Sequence, residues 1–429
     1  MLVAYFKYPN PLLYLMETEL EFQELDFKPY DKDKIRVNFH NRFYFDLDTS
    51  KIASIAPFEI NENKIIFRNI SENTAKRRFS ELISSSISTD LRHSINKKRT
   101  IYIHSNSSIP LIGTPYFGII DRNSNVLEIR PNTGCNFNCI YCSVDEGFIS
   151  KRLTDYFVEK DYMVSELKKI VEFKECKIDI HIGSQGEPTL YPDMIELIRG
   201  IREIPNIRHI SMVTNGSLLT KEYVDQLAES GLSRINLSLN TLDFKMAQTL
   251  AGINFDIKRV VEIAKYIPTT NMDLIIAPLW VPGYNDDFLE LVRFAKNIAA
   301  GKIGPAIGIQ NFMTYKRGRN PVSDASTEEF NKKMRDIEQK EGIKLIYDVR
   351  AKHETQCKSL PKPFKRGEIV KAELKMPGRF RNEVIGVSKD RCVSIIGCNL
   401  SHIKLGSIVK ARVIRTKHNI FTAKYIGNF

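Results

Sequence analysis

The chain has 429 residues, 42% hydrophobic and 27% charged, an ordinary globular composition with room for two or three domains. No uncharged apolar run approaches the roughly 18 residues that a membrane span requires, and Lys7, Pro9 and Pro11 interrupt the apolar opening, which reads as the start of a folded domain rather than a leader. The formal charge of +12 is concentrated at one end: Pro361–Phe429 carries 15 Lys or Arg against four acids, a net of +11, as expected of a tail that meets a polyanion.

Residues 1–110 contain few motifs. The alternating runs KIRVNFHNRFYFDL and NKIIFRNI predict strands and NTAKRRFSELISSSI predicts a helix, giving an N-terminal α+β domain. Two strand-like runs, YFGIID and NVLEIR, then lead into a regular pattern. KIDIHIG, HISMVTN, RINLSLN, MDLIIAPLW and AIGIQNF read as strands. Between them DYMVSELKKIVEF, DMIELIRGIRE, KEYVDQLAES, DIKRVVEIAKYI and DDFLELVRFAKNIA read as helices. With NVLEIR counted first, six strands alternate with five helices. Parallel strands need crossovers, so the expected fold class is α/β: a partial (β/α)6 TIM-like barrel over 111–350, with chemistry at the carboxyl ends of its strands.

STEEFNKKMRDIEQKEG and IKLIYDV add one more helix and strand, and 351–361 reads as a linker. Over 362–429 the runs IVKAELK, NEVIGVSK, RCVSIIG, SIVKARVIRT and IFTAKYIG predict five short strands. That number in so short a segment suits a C-terminal OB-like β-barrel.

Seven cysteines are an odd number, and their spacing does not suggest a disulfide framework. Three of them, Cys135, Cys139 and Cys142, form C-x3-C-x2-C in the loop after the first barrel strand. Such a cluster in a chain with no secretory signature points to a metal or cluster and a reducing, cytoplasmic location. Three thiolates can hold three corners of a cubane, leaving the fourth iron open to an outside ligand. A zinc knuckle is the alternative, but it needs a fourth ligand, and no other His or Cys falls between residues 105 and 175.

PNTGCNFNCIYCSVDEG resembles the signature of the radical S-adenosylmethionine (radical SAM) superfamily. The likeness continues for roughly 190 residues in the expected order. Through it, Tyr141 takes the aromatic position that lies against adenine. Gly186, Glu187 and Pro188 resemble the family's Gly-Gly-Glu element, Glu187 accepting a hydrogen bond from the methionyl ammonium. Thr214 and Asn215 end the third strand, and Ser238 and Asn240 at the fourth match positions that contact the cofactor's carboxylate or ribose. Trp280 and Val281 resemble the element packed on adenine. The resemblance implies a [4Fe–4S] cluster and S-adenosyl-L-methionine, a low-potential donor of ferredoxin or flavodoxin type, and a 5′-deoxyadenosyl radical. It assigns no further catalytic residue.

The tail resembles a TRAM domain, an OB-like RNA-binding module, through its five strands, GEIVKAELK and SIVKARVIRTKHNIFTAKYIG. Arg379, Arg381, Lys389, Arg391, Arg415 and Lys417 are then the expected phosphate contacts, and Phe380, Phe421, His402 and His418 the expected stacking residues. The two resemblances together imply an enzyme that modifies tRNA or rRNA, as in archaeal-type RNA modification. The alternative is a protein, peptide or cofactor-maturation substrate, the tail binding another acidic partner. Residues 1–134 contain no cysteine, unlike the methylthiotransferases that share this tail. Cys176 and Cys357 are weighed as methyl-carrying thiols against ordinary packing, and Cys392 and Cys398 read as packing residues.

Overall fold

The structure, a computed structural model, describes residues 17–183, 185–346 and 357–429, and the chain divides into two units between Thr100 and Ile101. The apolar opening and most of the expected linker lie outside the described residues. In the first unit, Lys34–Phe39 and Phe43–Asp48 pair as an antiparallel hairpin whose alternate residues are buried, as the period-two pattern dictates. The expected helix spans Glu72–Asp90 and buries Ala75, Phe79 and Ile83, one residue per turn. Phe79 sits among the rings of Phe22, Phe27 and Phe67, with centroids 5.6–6.0 Å away.

The second unit holds a six-stranded sheet. In chain order its strands are β1 (Gly118–Asp121), β2 (Val126–Arg130), β3 (Ile178–Ile182), β4 (Ile207–Thr214), β5 (Arg234–Leu237) and β6 (Asp273–Ile276). They lie side by side in that same order; β2 to β6 run parallel and β1 is an antiparallel edge. Crossovers are supplied by α1 (Lys160–Lys174), α2 (Met194–Arg202), α3 (Lys221–Glu229), α4 (Phe244–Ala251) and α5 (Ile257–Tyr266). Helix α2 buries Met194, Leu197, Ile198 and Ile201, the spacing of one helical face.

The expected sixth parallel strand is present, with its pairing interrupted opposite Ala277–Pro278. AIGIQNF runs beside β6 and its continuation Leu279–Trp280, joined by Ile276 N–H to Ala306 O, Gly308 N–H to Ile276 O, Gln310 N–H to Pro278 O and Phe312 N–H to Trp280 O at 2.8–3.0 Å. Ile343–Ile346, the described part of IKLIYDV, is not a strand, and its remainder lies outside the described residues. Helix α4 escapes the sequence pattern because it has only eight residues; its marks are Asp243, whose side chain caps Met246 N–H, and Gly252 in the left-handed region at its end.

One face of the sheet is apolar: Ile180, Met212, Ile235 and Leu274 are fully or almost fully buried. The other face is polar. In register across five adjacent strands stand Glu128, His181, Ser211, Arg234 and Asp273, a level that an ordinary packed barrel fills with branched apolar side chains.

The last five strands close into a barrel, β7 (Ile369–Pro377), β8 (Glu383–Ser388), β9 (Arg391–Ile396), β10 (Ile408–Arg415) and β11 (Thr422–Asn428), in the order β7-β8-β9-β11-β10. Cys398 lies in its core, and Cys392 donates to Pro110 O at 3.1 Å. Cys392 N–H also bonds Ile112 O, and Gly113 beside it has φ +129°, where a Cβ would lie 2.0 Å from Cys392 O. Only glycine permits that approach. Cys176 and Cys357 form a disulfide, so neither is the free thiol weighed from the sequence, and the expectation of no disulfide is corrected. Their partnership spans 181 residues and has no local signature.

Candidate active site

Beyond β2 the chain runs through Thr133–Gly134, which pairs in parallel with Gln185–Gly186 beyond β3. Gly186 has φ +147°, and a Cβ there would lie 1.8 Å from Gly134 O, so this crossing of two loops requires glycine. Immediately after it come Cys135, Cys139 and Cys142. All three line a cavity of about 560 Å³ at the carboxyl ends of the strands, together with Tyr141, Gly186, Glu187, Pro188, Thr214, Asn215, Ser238 and Asn240. Residues named separately from the sequence are thus brought to one cavity.

Glu187 is held from four directions. Its Oε1 accepts from Thr189 N–H (3.1 Å), Thr189 Oγ1 (2.7 Å) and Thr214 Oγ1 (2.6 Å), and its Oε2 accepts from Asn215 N–H (2.8 Å). Burial pushes its carboxyl above the usual range while these donors pull the other way. Asn240 Nδ2 donates to the Tyr141 hydroxyl, and its Oδ1 accepts from Leu279 N–H at 2.8 Å. Asn215 Nδ2 donates to Asn136 Oδ1 at 3.0 Å, tying the end of β4 to the cysteine loop. Trp280 and Val281 are a correction. Both are buried away from the cavity; Trp280 stacks on Phe330 and its indole N–H bonds Asp286 at 2.7 Å, while the neighbouring Leu279 lines the wall.

Two parts of the site were not read from the sequence. Arg319 clamps the cysteine loop: Nε donates to Asp145 Oδ1 at 2.9 Å, Nη1 to Cys139 O at 3.0 Å and Nη2 to Glu146 O, while its own N–H bonds Cys142 O at 2.9 Å. Glu128 and His181 form the cavity floor. Burial pushes the Glu128 carboxyl up, but Arg130 at 2.6 Å and Arg122 at 2.8 Å outweigh it and hold it below its usual range. Burial pushes His181 below its ordinary value, so it is neutral near pH 7. Its Nδ1 lies 3.0 Å from Ser211 Oγ, which can itself donate to Ile180 O at 3.3 Å. The period-two pattern of KIDIHIG, with polar residues on one face of a buried strand, was the available signal.

The cysteines suit a cluster better than a single ion. Among the described residues no three His, Cys, Asp or Glu side chains converge on one metal ion, as a zinc knuckle would require, whereas a cubane gives each thiolate its own iron. Burial raises the Cys139 thiol to about 12, and burial with neighbouring negative charge raises Cys135 and Cys142. Three thiolates side by side therefore need the positive charge that bound iron supplies. Residues 129–295 match the family model described as Radical SAM superfamily.

The chain belongs to the radical SAM superfamily. Members use a [4Fe–4S] cluster and S-adenosylmethionine. The uncharacterized protein MJ0103 of Methanocaldococcus jannaschii is 41% identical over 369 residues, 80% of this chain and 85% of that protein. A GTP 3′,8-cyclase of Listeria monocytogenes is 32% identical over 183 residues, 41% of this chain and about half (52%) of the cyclase. Among solved structures, TYW1 with a lysine–pyruvate adduct has a TM-score of 0.39 at 18% identity, over 52% of this chain and 76% of its own. Streptococcus suis SuiB bound to S-adenosylmethionine has 0.40 at 17% identity, over 76% and 71%. Likenesses at these scores say nothing of substrate. Among the described residues of this radical SAM chain, no helix is long and apolar enough to cross a membrane.

The residues expected to touch phosphate are scattered. Arg381, Arg415 and Lys417 are exposed, whereas Lys389 pairs with Glu368 at 3.3 Å and Arg391 is half-buried with Nη1 on Asp390 O. Arg379 is a correction: its side chain is sealed from solvent and paired with Glu146 and Asp155. Phe421 is fully buried in the barrel core, and the Phe380 ring lies between the guanidinium groups of Arg152 (4.0 Å) and Arg317 (3.7 Å), so neither is open to a base. His402 is exposed and His418 half-buried.

Proposed function

We propose that this radical SAM enzyme modifies a nucleoside within tRNA or rRNA, gripping the RNA with the outer face of its C-terminal barrel. One observation carries the RNA part of the reading. Lys371 on β7 stands directly opposite Lys410 on β10, and Arg412 on β10 opposite Lys424 on β11. Like charges directly opposed destabilise a sheet, and a polyanion laid across them turns that repulsion into attraction. Exposed Ile369, Ile408, Ile414 and Phe429 lie among them as apolar surface for sugar or base. The TRAM resemblance and the concentration of charge support the same reading.

In this reading Cys135, Cys139 and Cys142 hold the cluster. Cluster and S-adenosylmethionine together supply a 5′-deoxyadenosyl radical once a ferredoxin- or flavodoxin-type donor delivers an electron. Glu187, fixed by four donors, keeps lone pairs aimed at the methionyl ammonium. Tyr141, steadied by Asn240, lies along the adenine, and Ser238 and Asn240 bind the ribose or carboxylate. The strand ends wall the cavity from water, and Glu128 with neutral His181 offers acceptors to a substrate N–H or O–H group. A second reading, a free nucleotide in a cofactor-building reaction, has support from the likeness to GTP 3′,8-cyclases.

The test compares nucleosides from total RNA, by mass spectrometry, in cells with and without the gene. A missing modified nucleoside is the expected result. An unchanged profile, with no shift of bulk tRNA by the enzyme at low salt, moves the activity to the second reading.

A further inference from the structure

The turn joining β7 to β8 is bound to the cysteine loop and to chain segments before and after it. Glu383 folds back so that Oε2 accepts the N–H groups of Arg379 (3.0 Å) and Phe380 (3.2 Å), while Oε1 accepts from the Tyr116 hydroxyl at 2.7 Å. Tyr156 donates to Pro377 O at 2.9 Å, and Leu153 N–H to Arg379 O at 3.0 Å. Arg152, which holds one side of Phe380, also donates to Val144 O inside the loop at 2.8 Å.

From this turn the Arg379 side chain reaches both ends of the loop. Nη2 meets Glu146 Oε1 at 2.5 Å and Asp155 Oδ1 at 3.2 Å, and all three side chains are 0–1% exposed. Glu146 lies just behind the third cysteine, where its N–H points at Cys142 Sγ, 3.3 Å away. Asp155 Oδ1 accepts from Thr133 Oγ1 at 3.0 Å, and Thr133 lies two residues ahead of the first cysteine. One buried guanidinium thus pairs with two buried carboxylates that bracket the three thiols, leaving the triad a single negative charge. A buried ion cluster is a poor source of stability, since matched apolar residues often fold as well or better. A fixed positive charge beside a site that changes its own charge on reduction has a clear use.

We propose that Arg379, carried by the C-terminal barrel, is a positioning residue of the cluster site: through Glu146 and Asp155 it fixes the loop ends and sets the electrostatic field in which the cluster is reduced. The barrel is then part of the redox site as well as a surface for partners, and this holds whatever the substrate is. Removing the cation takes the triad from one negative charge to two near the thiolates, which makes reduction harder. Neutralising Glu146 takes the triad from one negative charge to none, which makes it easier.

The experiment is an anaerobic redox titration of the reconstituted full chain, followed by electron paramagnetic resonance, for wild type, Arg379→Met, Arg379→Lys, Glu146→Gln and Arg379→Met/Glu146→Gln. At a fixed reductant ratio Arg379→Met lowers the reduced-to-oxidised ratio about tenfold and Glu146→Gln raises it, while the double variant returns toward wild type and Arg379→Lys stays near it. Iron and sulfide per chain are measured on the same samples. If Arg379→Met does not fold or take up iron, the isosteric Glu146→Gln decides. Equal potentials in Glu146→Gln and wild type, both with full iron, overturn the proposal. So does a shift of the same sign in Glu146→Gln and Arg379→Met.

Discussion

Arg379 and Glu146 meet at 2.5 Å with both side chains closed to solvent, although 233 residues separate them in the chain. The contact joins the C-terminal barrel to the loop that carries the three cysteines.

Arg319 makes the second such clamp, and its loss should be felt at the cluster. Arg319→Met removes three side-chain donors from carbonyl and carboxylate oxygens of the loop. Breaking one partner of a mostly buried charged contact costs about 3 kcal/mol. The expected outcome is reconstituted protein with well under the wild-type iron content and at least a tenfold loss of 5′-deoxyadenosine formation. Full iron and full activity would remove Arg319 from the account.

His181 carries a pH signature. Its folded value lies below the ordinary histidine value, so between the two the unfolded chain binds more protons than the folded one. Its contribution is therefore present above the unfolded value, about 6.5, and is lost as pH falls through the folded value. The wild-type melting temperature should drop more steeply than that of His181→Gln as pH is lowered from 7.5 toward 5. Parallel pH curves for the two proteins would contradict a buried neutral imidazole.

The barrel face predicts opposite effects on stability and binding. Lys371→Glu replaces a like-charged cross-strand pair with an attractive one facing Lys410, a gain of a few tenths of a kcal/mol. The same change should weaken binding of bulk tRNA several-fold and flatten its salt dependence. Melting curves and filter binding at two salt concentrations test both; unchanged tRNA affinity would direct attention away from this face.

The disulfide closes a loop of 181 residues, which by chain entropy is worth about 5 kcal/mol at most. Cys176→Ser should lower the melting temperature of the non-reduced protein and leave 5′-deoxyadenosine formation intact. Substantial loss of the latter would return a chemical role to this pair.

The cysteine motif and Glu187 were legible because their signals are local: ligand spacing in one case, a glycine-acid turn after a strand in the other. The parallel sheet was legible from alternating strand and helix patterns. What failed was non-local or one residue out of frame. Trp280 faces the core while Leu279 faces the cavity, and the run between Pro278 and Pro282 has no periodicity to tell them apart. Arg379 was counted with the surface charge of the tail because its partners, Glu146 and Asp155, lie more than 200 residues upstream.

The central claim is that three cysteines and Glu187 make one site for reductive cleavage of S-adenosylmethionine. Its most direct test is to incubate the anaerobically reconstituted chain with dithionite and S-adenosylmethionine and quantify 5′-deoxyadenosine by mass spectrometry. The account predicts 5′-deoxyadenosine and methionine in equal amounts from wild type, none from Cys142→Ala and a strong reduction in Glu187→Gln. A wild-type protein that holds a full, reducible cluster yet forms no 5′-deoxyadenosine would contradict it.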